Sequence, residues 1–212
     1  MPSAQSPYLT LALAGLLIGA IYYLEAWYKR RRRQAWRIFA TRQGWTSSQS
    51  DEALEVQGFY RGRPFSLRTE ATTLSQGDPA ITVLRMELSD AAPPELLLET
   101  KSLRDTFRMR FSPVGEKVGD VELDTLLNLH NLSPRTRELL LTPSLREPLM
   151  HAYRYYWRLS IFAGTMEAER QGVPTSPEKL EALIAPALAL ADALHLSTGQ
   201  ALPPHSRRRA QS

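Results

Sequence analysis

Few residues in this chain have the types and spacing that chemistry needs, and the most suggestive are three carboxylates, Asp120, Glu122 and Asp124. They alternate with Val121 and Leu123, so on a strand all three share one face. Mg²⁺ or Ca²⁺ takes such oxygen ligands when several converge. A ligand-binding or hydrolytic domain that holds a divalent cation on these residues is therefore one reading of the chain. The competing reading is a solvated polar face over an apolar one, because the spacing is not that of a calcium-binding loop. His130, His151, His195 and His205 are scattered and show no ligand spacing such as H-E-x-x-H. No nucleophile elbow, phosphate-binding glycine loop or dinucleotide fingerprint occurs. The 212 residues include no Cys, which excludes disulfides, thiolate metal sites and a cysteine nucleophile. No catalytic residue is nominated and no cofactor is expected. A binding or scaffold module is the leading reading.

The charge balance narrows the partners. The chain carries a net +4, but Lys29 to Arg33 and Arg207 to Arg209 supply the excess. Residues 34–206 hold 18 cations against 21 anions, a net of −3. Nucleic-acid binding needs Lys and Arg concentrated on the folded body, so this distribution argues against it. Arg104, Arg108 and Arg110 form a small basic group interrupted by Asp105, which reads as a solvated face.

The basic run belongs to a membrane signal. Met1 to Leu24 has no charged side chain, and Tyr8 to Tyr28 is 21 residues of mostly apolar sequence. As a helix that run spans about 31 Å, enough for a hydrocarbon core about 30 Å thick. Tyr22, Tyr23, Trp27 and Tyr28 gather at its C-terminal end, where interfacial aromatics sit. Lys29, Arg30, Arg31, Arg32 and Arg33 follow, so the positive-inside rule places the N-terminus outside and the remainder in the cytoplasm. The same cations attract anionic lipid. Ala12-Leu13-Ala14 has the look of a signal-peptide cleavage site, but no basic segment precedes it and the apolar run continues beyond it. Gly15-x-x-x-Gly19 permits close approach of a second helix, and with it a homodimer.

The remainder reads as one α+β body. Trp36, Phe39 and Ala40 recur at helical spacing, so a juxtamembrane helix is expected up to Gly44. Ser47 to Asp51 reads as a polar spacer. Leu54 to Tyr60 and Phe65 to Glu70 read as two strands of a hairpin turning near Gly62, and Ala80 to Ser89 and Glu95 to Thr100 as two more. Gln76 to Pro79 is turn chemistry. Val118 to Leu129 is expected to contain a short extended stretch. Ser133-Pro134 and Thr142-Pro143 each read as an N-cap with proline at the first helical position, giving helices near 134–141 and 143–153. Tyr156 to Ala163 alternates as a half-buried strand, with Trp157, Leu159, Ile161 and Ala163 inward, and pairs back with Thr165 to Arg170. Thr175 and Glu178 resemble a capping box before a long apolar helix, in which Pro186 is expected to produce a kink or break.

Two stretches carry a resemblance. Gly119-Asp120-Val121-Glu122-Leu123-Asp124, followed by Leu140-Leu141-Thr142-Pro143-Ser144-Leu145-Arg146, resembles a G-D-x-x-F-D … L-L-T-P-x-L-R pattern. That pattern belongs to uncharacterised bacterial membrane-tethered proteins with domains of unknown function. Leu123 stands where the pattern has an aromatic residue. The resemblance implies a bacterial inner-membrane setting, and a turn-fixing role for Asp120 and Asp124. The expected organisation is a transmembrane helix with a short tail in 1–28 and a basic juxtamembrane helix in 29–46. A cytoplasmic domain of largely antiparallel sheet, short helices and a long C-terminal helix follows in 47–198, and a disordered basic tail in 199–212. A protein partner of unknown identity is expected for that domain.

Overall fold

Trp36, Phe39 and Ala40 lie on one face of a helix that the preceding apolar run also forms. In the computed structural model, which describes residues 7–50, 53–71, 81–89, 91–93, 96–100 and 115–197, these are one element. Helix α1 runs unbroken over Pro7–Gln43. Its C-terminus is closed by Gly44 in the left-handed region (φ 71°). The Gly44 N–H donates to the Thr41 carbonyl at 3.2 Å and the Trp45 N–H to the Ala40 carbonyl at 2.9 Å. That is a Schellman pattern, and the apolar contact that accompanies it is Trp45 edge-on to Phe39.

Eight strands follow among the described residues: β1 (Thr46–Gln49), β2 (Leu54–Tyr60), β3 (Arg63–Glu70), β4 (Ile81–Glu87), β5 (Leu97–Thr100), β6 (Leu127–His130), β7 (Arg158–Phe162) and β8 (Thr165–Gln171). They form one sheet in the order β1-β2-β3-β4-β8-β7-β5-β6, antiparallel at every pairing. The register lines up apolar side chains across it. Val56, Leu67, Leu84, Ala168 and Leu159 make one buried row, and Phe65, Met86, Met166, Ile161, Leu98 and Leu129 the next. The opposite face carries Arg68, Arg85, Glu167, Glu169, Arg158 and Glu99, with Arg85 paired to Glu167 and Arg158 to Glu99. One face is core and the other is mostly polar, with Ile81 and Val83 buried among its charged side chains.

Between β5 and β7 lie helices α2 (Val121–Leu126), α3 (Pro134–Leu141) and α4 (Pro143–Tyr155), and α5 (Pro177–Ser197) closes the fold. Trp36, Phe39, Leu145, Leu149, Leu180, Leu183, Leu190 and Leu194 from α1, α4 and α5 belong to the same buried cluster as the inner sheet rows. By length and apolarity α5 could itself cross a membrane, but it is a core helix, with 56% of its most apolar window buried.

Several local expectations need correction. The polar spacer at Ser47 to Asp51 holds β1, an exposed edge strand whose short polar sequence gives no alternation to read. Asp120, Glu122 and Asp124 do not lie on a strand: α2 starts at Val121, and the extended stretch begins only at Leu127. Trp157 is 49% exposed and outside β7, and Ala163 is a turn residue with φ 48°, so the inward row is Leu159 and Ile161 alone. Ser133 caps α3 as its side chain permits, but the Thr142 hydroxyl donates back to the Leu139 carbonyl at 2.6 Å and does not cap α4. The cap of α5 is Ser176, which accepts from the Lys179 N–H, with Pro177 rather than Ser176 in the first helical position. The turn at Gln76 to Pro79, the Arg104–Arg110 group, His205 and the tail 199–212 lie outside the described residues.

Pro186 does not break α5, and a buried hydroxyl shows how the helix tolerates it. The Tyr156 hydroxyl donates to the Leu183 carbonyl at 2.5 Å and accepts from the Ala187 N–H at 3.3 Å. Those two groups are ladder partners on the turn that the proline ring crowds. Tyr156 thus bridges the ladder there, and burial pushes its phenol pKa up, keeping it a donor. Tyr156→Phe leaves both backbone groups buried without it, so we expect a loss of about 1–3 kcal/mol. The urea midpoint of the full chain reads that loss.

Candidate functional site

Two charged regions among the described residues hold the residues that the sequence singles out: the turn that opens α2, and the basic segment of α1. At the first, Gly119 (φ 99°) turns the chain and Asp120 becomes the N-cap of α2. Asp120 Oδ1 accepts from the Glu122 and Leu123 N–H groups at 2.9 and 3.0 Å. Its Oδ2 accepts from Arg146 Nε at 2.7 Å. Glu122 accepts from Arg146 and Arg154, both at 2.8 Å. Asp124 turns the other way, taking the Val118 and Gly119 N–H groups at 2.7 and 3.1 Å.

The three carboxylates are therefore neighbours in sequence with three different tasks. Asp120 starts a helix, Glu122 bridges two arginines, and Asp124 clamps the loop before the helix. Among the described residues, no group of three or more His, Asp or Glu side chains stands where a metal could be held. Arg146 and Arg154 are the partners that the sequence reading missed. Their spacing of eight on an amphipathic α4 was the available signal, since about two turns return a side chain to the same face. The fold also brings Gly119–Asp124 and Leu140–Arg146 together through the Asp120–Arg146 bond. His130, His151 and His195 lie apart on β6, α4 and α5.

The electrostatics follow the geometry. The Arg146 hydrogen bond, helped by the Leu123 and Glu122 amides, lowers the Asp120 pKa from 3.8 to about 2. Arg154 and then Arg146 lower that of Glu122, and the Arg146 pKa rises in turn. A carboxyl whose pKa is depressed on folding stabilises the folded state above its unfolded pKa and loses that contribution as pH falls through the folded value. The chain should therefore lose stability between about pH 4 and 2, where Asp120 takes up its proton. Asp120→Asn keeps a capping oxygen but drops the charge. It should be less stable than the parent at neutral pH and show a flatter melting-temperature profile across that acid window; parallel profiles would show that the pair contributes nothing.

The second region is α1 itself. Leu13, Leu16, Leu17, Ile18, Ile21 and Leu24 are all more than half exposed. Gly15 and Gly19 meet nothing that a β-carbon would touch, so the helix face they share is open. Trp27 and Tyr28 stack edge-to-face, Arg31 lies 5.2 Å from the Trp27 ring, and Lys29 pairs with Glu25 at 2.7 Å. Burial begins abruptly at Ala35 and Trp36. There the Gln49 side-chain amide donates to the Arg33 carbonyl at 3.1 Å, and Trp36 Nε1 to the Pro174 carbonyl at 3.2 Å.

An open groove lies where α1 ends, lined by Arg42, Trp45, Phe59, Arg61 and Arg85 among others. Comparison with family models, with curated proteins and with solved structures found no match to this chain.

Proposed function

We propose that the chain is a single-pass protein of the bacterial inner membrane whose α+β body is a cytoplasmic binding or scaffold module. One observation carries the reading. An exposed apolar helix flanked by aromatics and five cations continues, without a break, into side chains at the centre of the body's core. Water disfavours so much contiguous apolar surface, whereas a bilayer accepts it. The cations set the orientation, with the N-terminus outside. Gly15 and Gly19 leave room for a second copy alongside α1.

A binding role is favoured over a cation-dependent hydrolytic one by the Asp120, Glu122 and Asp124 geometry, in which arginines and backbone amides already engage the carboxylate oxygens. Because α1 joins the core directly, the body is held at the membrane surface and not on a flexible leash. A partner would therefore meet it in a fixed orientation. The test is the side of the membrane on which Ser212 lies.

A further inference from the structure

If α1 spans a bilayer, the helix fixes one end of the sheet close to it. Gln49 closes β1 and holds the Arg33 carbonyl, and its register row runs through Leu54, Thr69, Thr82 and Arg170. Beside it the Trp157 N–H donates to the Glu169 carbonyl at 2.9 Å, at the same end of β7. A second pin, from Trp36 to Pro174, holds the chain just beyond β8 at nearly the same height on α1. Arg33 and Trp36 are five and eight residues past Tyr28, or about 7 and 12 Å of helix. The headgroup layer is about 5–7 Å deep on each side of the hydrocarbon. With α1 spanning the bilayer, this rim therefore stands at the outer edge of the headgroups or up to about 5 Å beyond it.

On it lies a side chain that the fold does not explain. Trp157, 49% exposed, contributes little to the core, while indole rings prefer the membrane interface. Arg154 and Arg158 flank it with side chains 67% and 54% exposed. Their ion pairs to Glu122 and Glu99 are at the surface, where such pairs are weak and exchange readily for a phosphate.

We propose that this rim, led by Trp157 with Arg154 and Arg158, rests on the headgroups of the bilayer that α1 spans, giving the body a second lipid contact. The proposal depends on the membrane reading of α1. The two can fail separately.

The chain has no cysteine, so single cysteines report cleanly. Full-length Tyr22→Cys, Trp157→Cys, Arg158→Cys and Phe162→Cys variants would each carry an environment-sensitive fluorophore. They would be reconstituted in phosphatidylethanolamine–phosphatidylglycerol vesicles, with nitroxide lipids labelled at the headgroup or deep in the acyl chain. Phe162 ends β7 at the opposite rim, 63% exposed. The expected result is loss of fluorescence at position 22 with the deep nitroxide. Positions 157 and 158 should lose it with the headgroup nitroxide, and position 162 with neither. Quenching at 22 but none at 157 and 158 beyond that at 162 would overturn the rim contact and leave the span intact. An unquenched label at 22 would overturn both.

Discussion

Trp36→Ala is expected to cost the folded body about 3–5 kcal/mol, as removal of a fully buried aromatic does. The side chain is 0% exposed, sits beside Phe39, and donates to the Pro174 carbonyl. The substitution removes the apolar contacts and also leaves that carbonyl without its donor. The consequence reaches past stability. Trp36 lies three residues beyond the cationic collar, so a large loss means that the helix bearing the collar is structurally part of the domain. Chemical denaturation of the detergent-solubilised chain, followed by circular dichroism, measures it. A midpoint like that of the parent would mean a body hung from its anchor by a dispensable segment.

A comparable loss is expected from the far side of the core. Ile161 is 1% exposed and stands between Met166 and Leu98 in the inner row of the sheet. Ile161→Ala should cost about 2–5 kcal/mol, the range for large-to-small changes in packed interiors. Phe162→Ala, one position along the same strand, removes a larger side chain from an outward position. It should stay within about 0.5 kcal/mol of the parent, as surface changes do. Equal effects at the two positions would mean that β7 presents neither face to the core as placed.

Most of the elements were legible because their signals are local. Period-two alternation gave β2 and β7, the turns at Gly62 and Gly164 gave their partners β3 and β8, a run apolar on both faces gave β4, and Ser133-Pro134 and Thr142-Pro143 gave the starts of α3 and α4. The failures have physical causes of another kind. The sequence of β1 is polar throughout and forms a strand only because the edge of β2 offers it partners. Trp157 looked inward because alternation was extended one residue before the strand begins. Propensity alone makes Pro186 a breaker, and no local pattern shows that Tyr156, thirty residues earlier, reaches the Leu183 carbonyl and the Ala187 N–H beside it.

The acidic cluster teaches the same lesson about long-range partners. Asp120-Val121-Glu122-Leu123-Asp124 alternates like a strand, but Gly119 and an aspartate able to cap favour a helix start once the chain turns there. With the period changed, the three carboxylates no longer share a face. What each one does depends on Arg146, Arg154 and the Val118 and Gly119 amides, of which only the last two are near in sequence. The long N-terminal helix was readable for the opposite reason: its length and apolarity are properties of a contiguous stretch.

The side of the membrane that holds the body tests the account most directly. Two reporters fused after Ser212, one active only outside the cytoplasmic membrane and one only inside, should give opposite signals from the full chain. The account predicts a silent external reporter and an active internal one, with the chain remaining in the membrane pellet after alkaline extraction. A strong external signal would contradict the orientation set by Lys29 to Arg33, and release of the chain by alkali would contradict the membrane span itself.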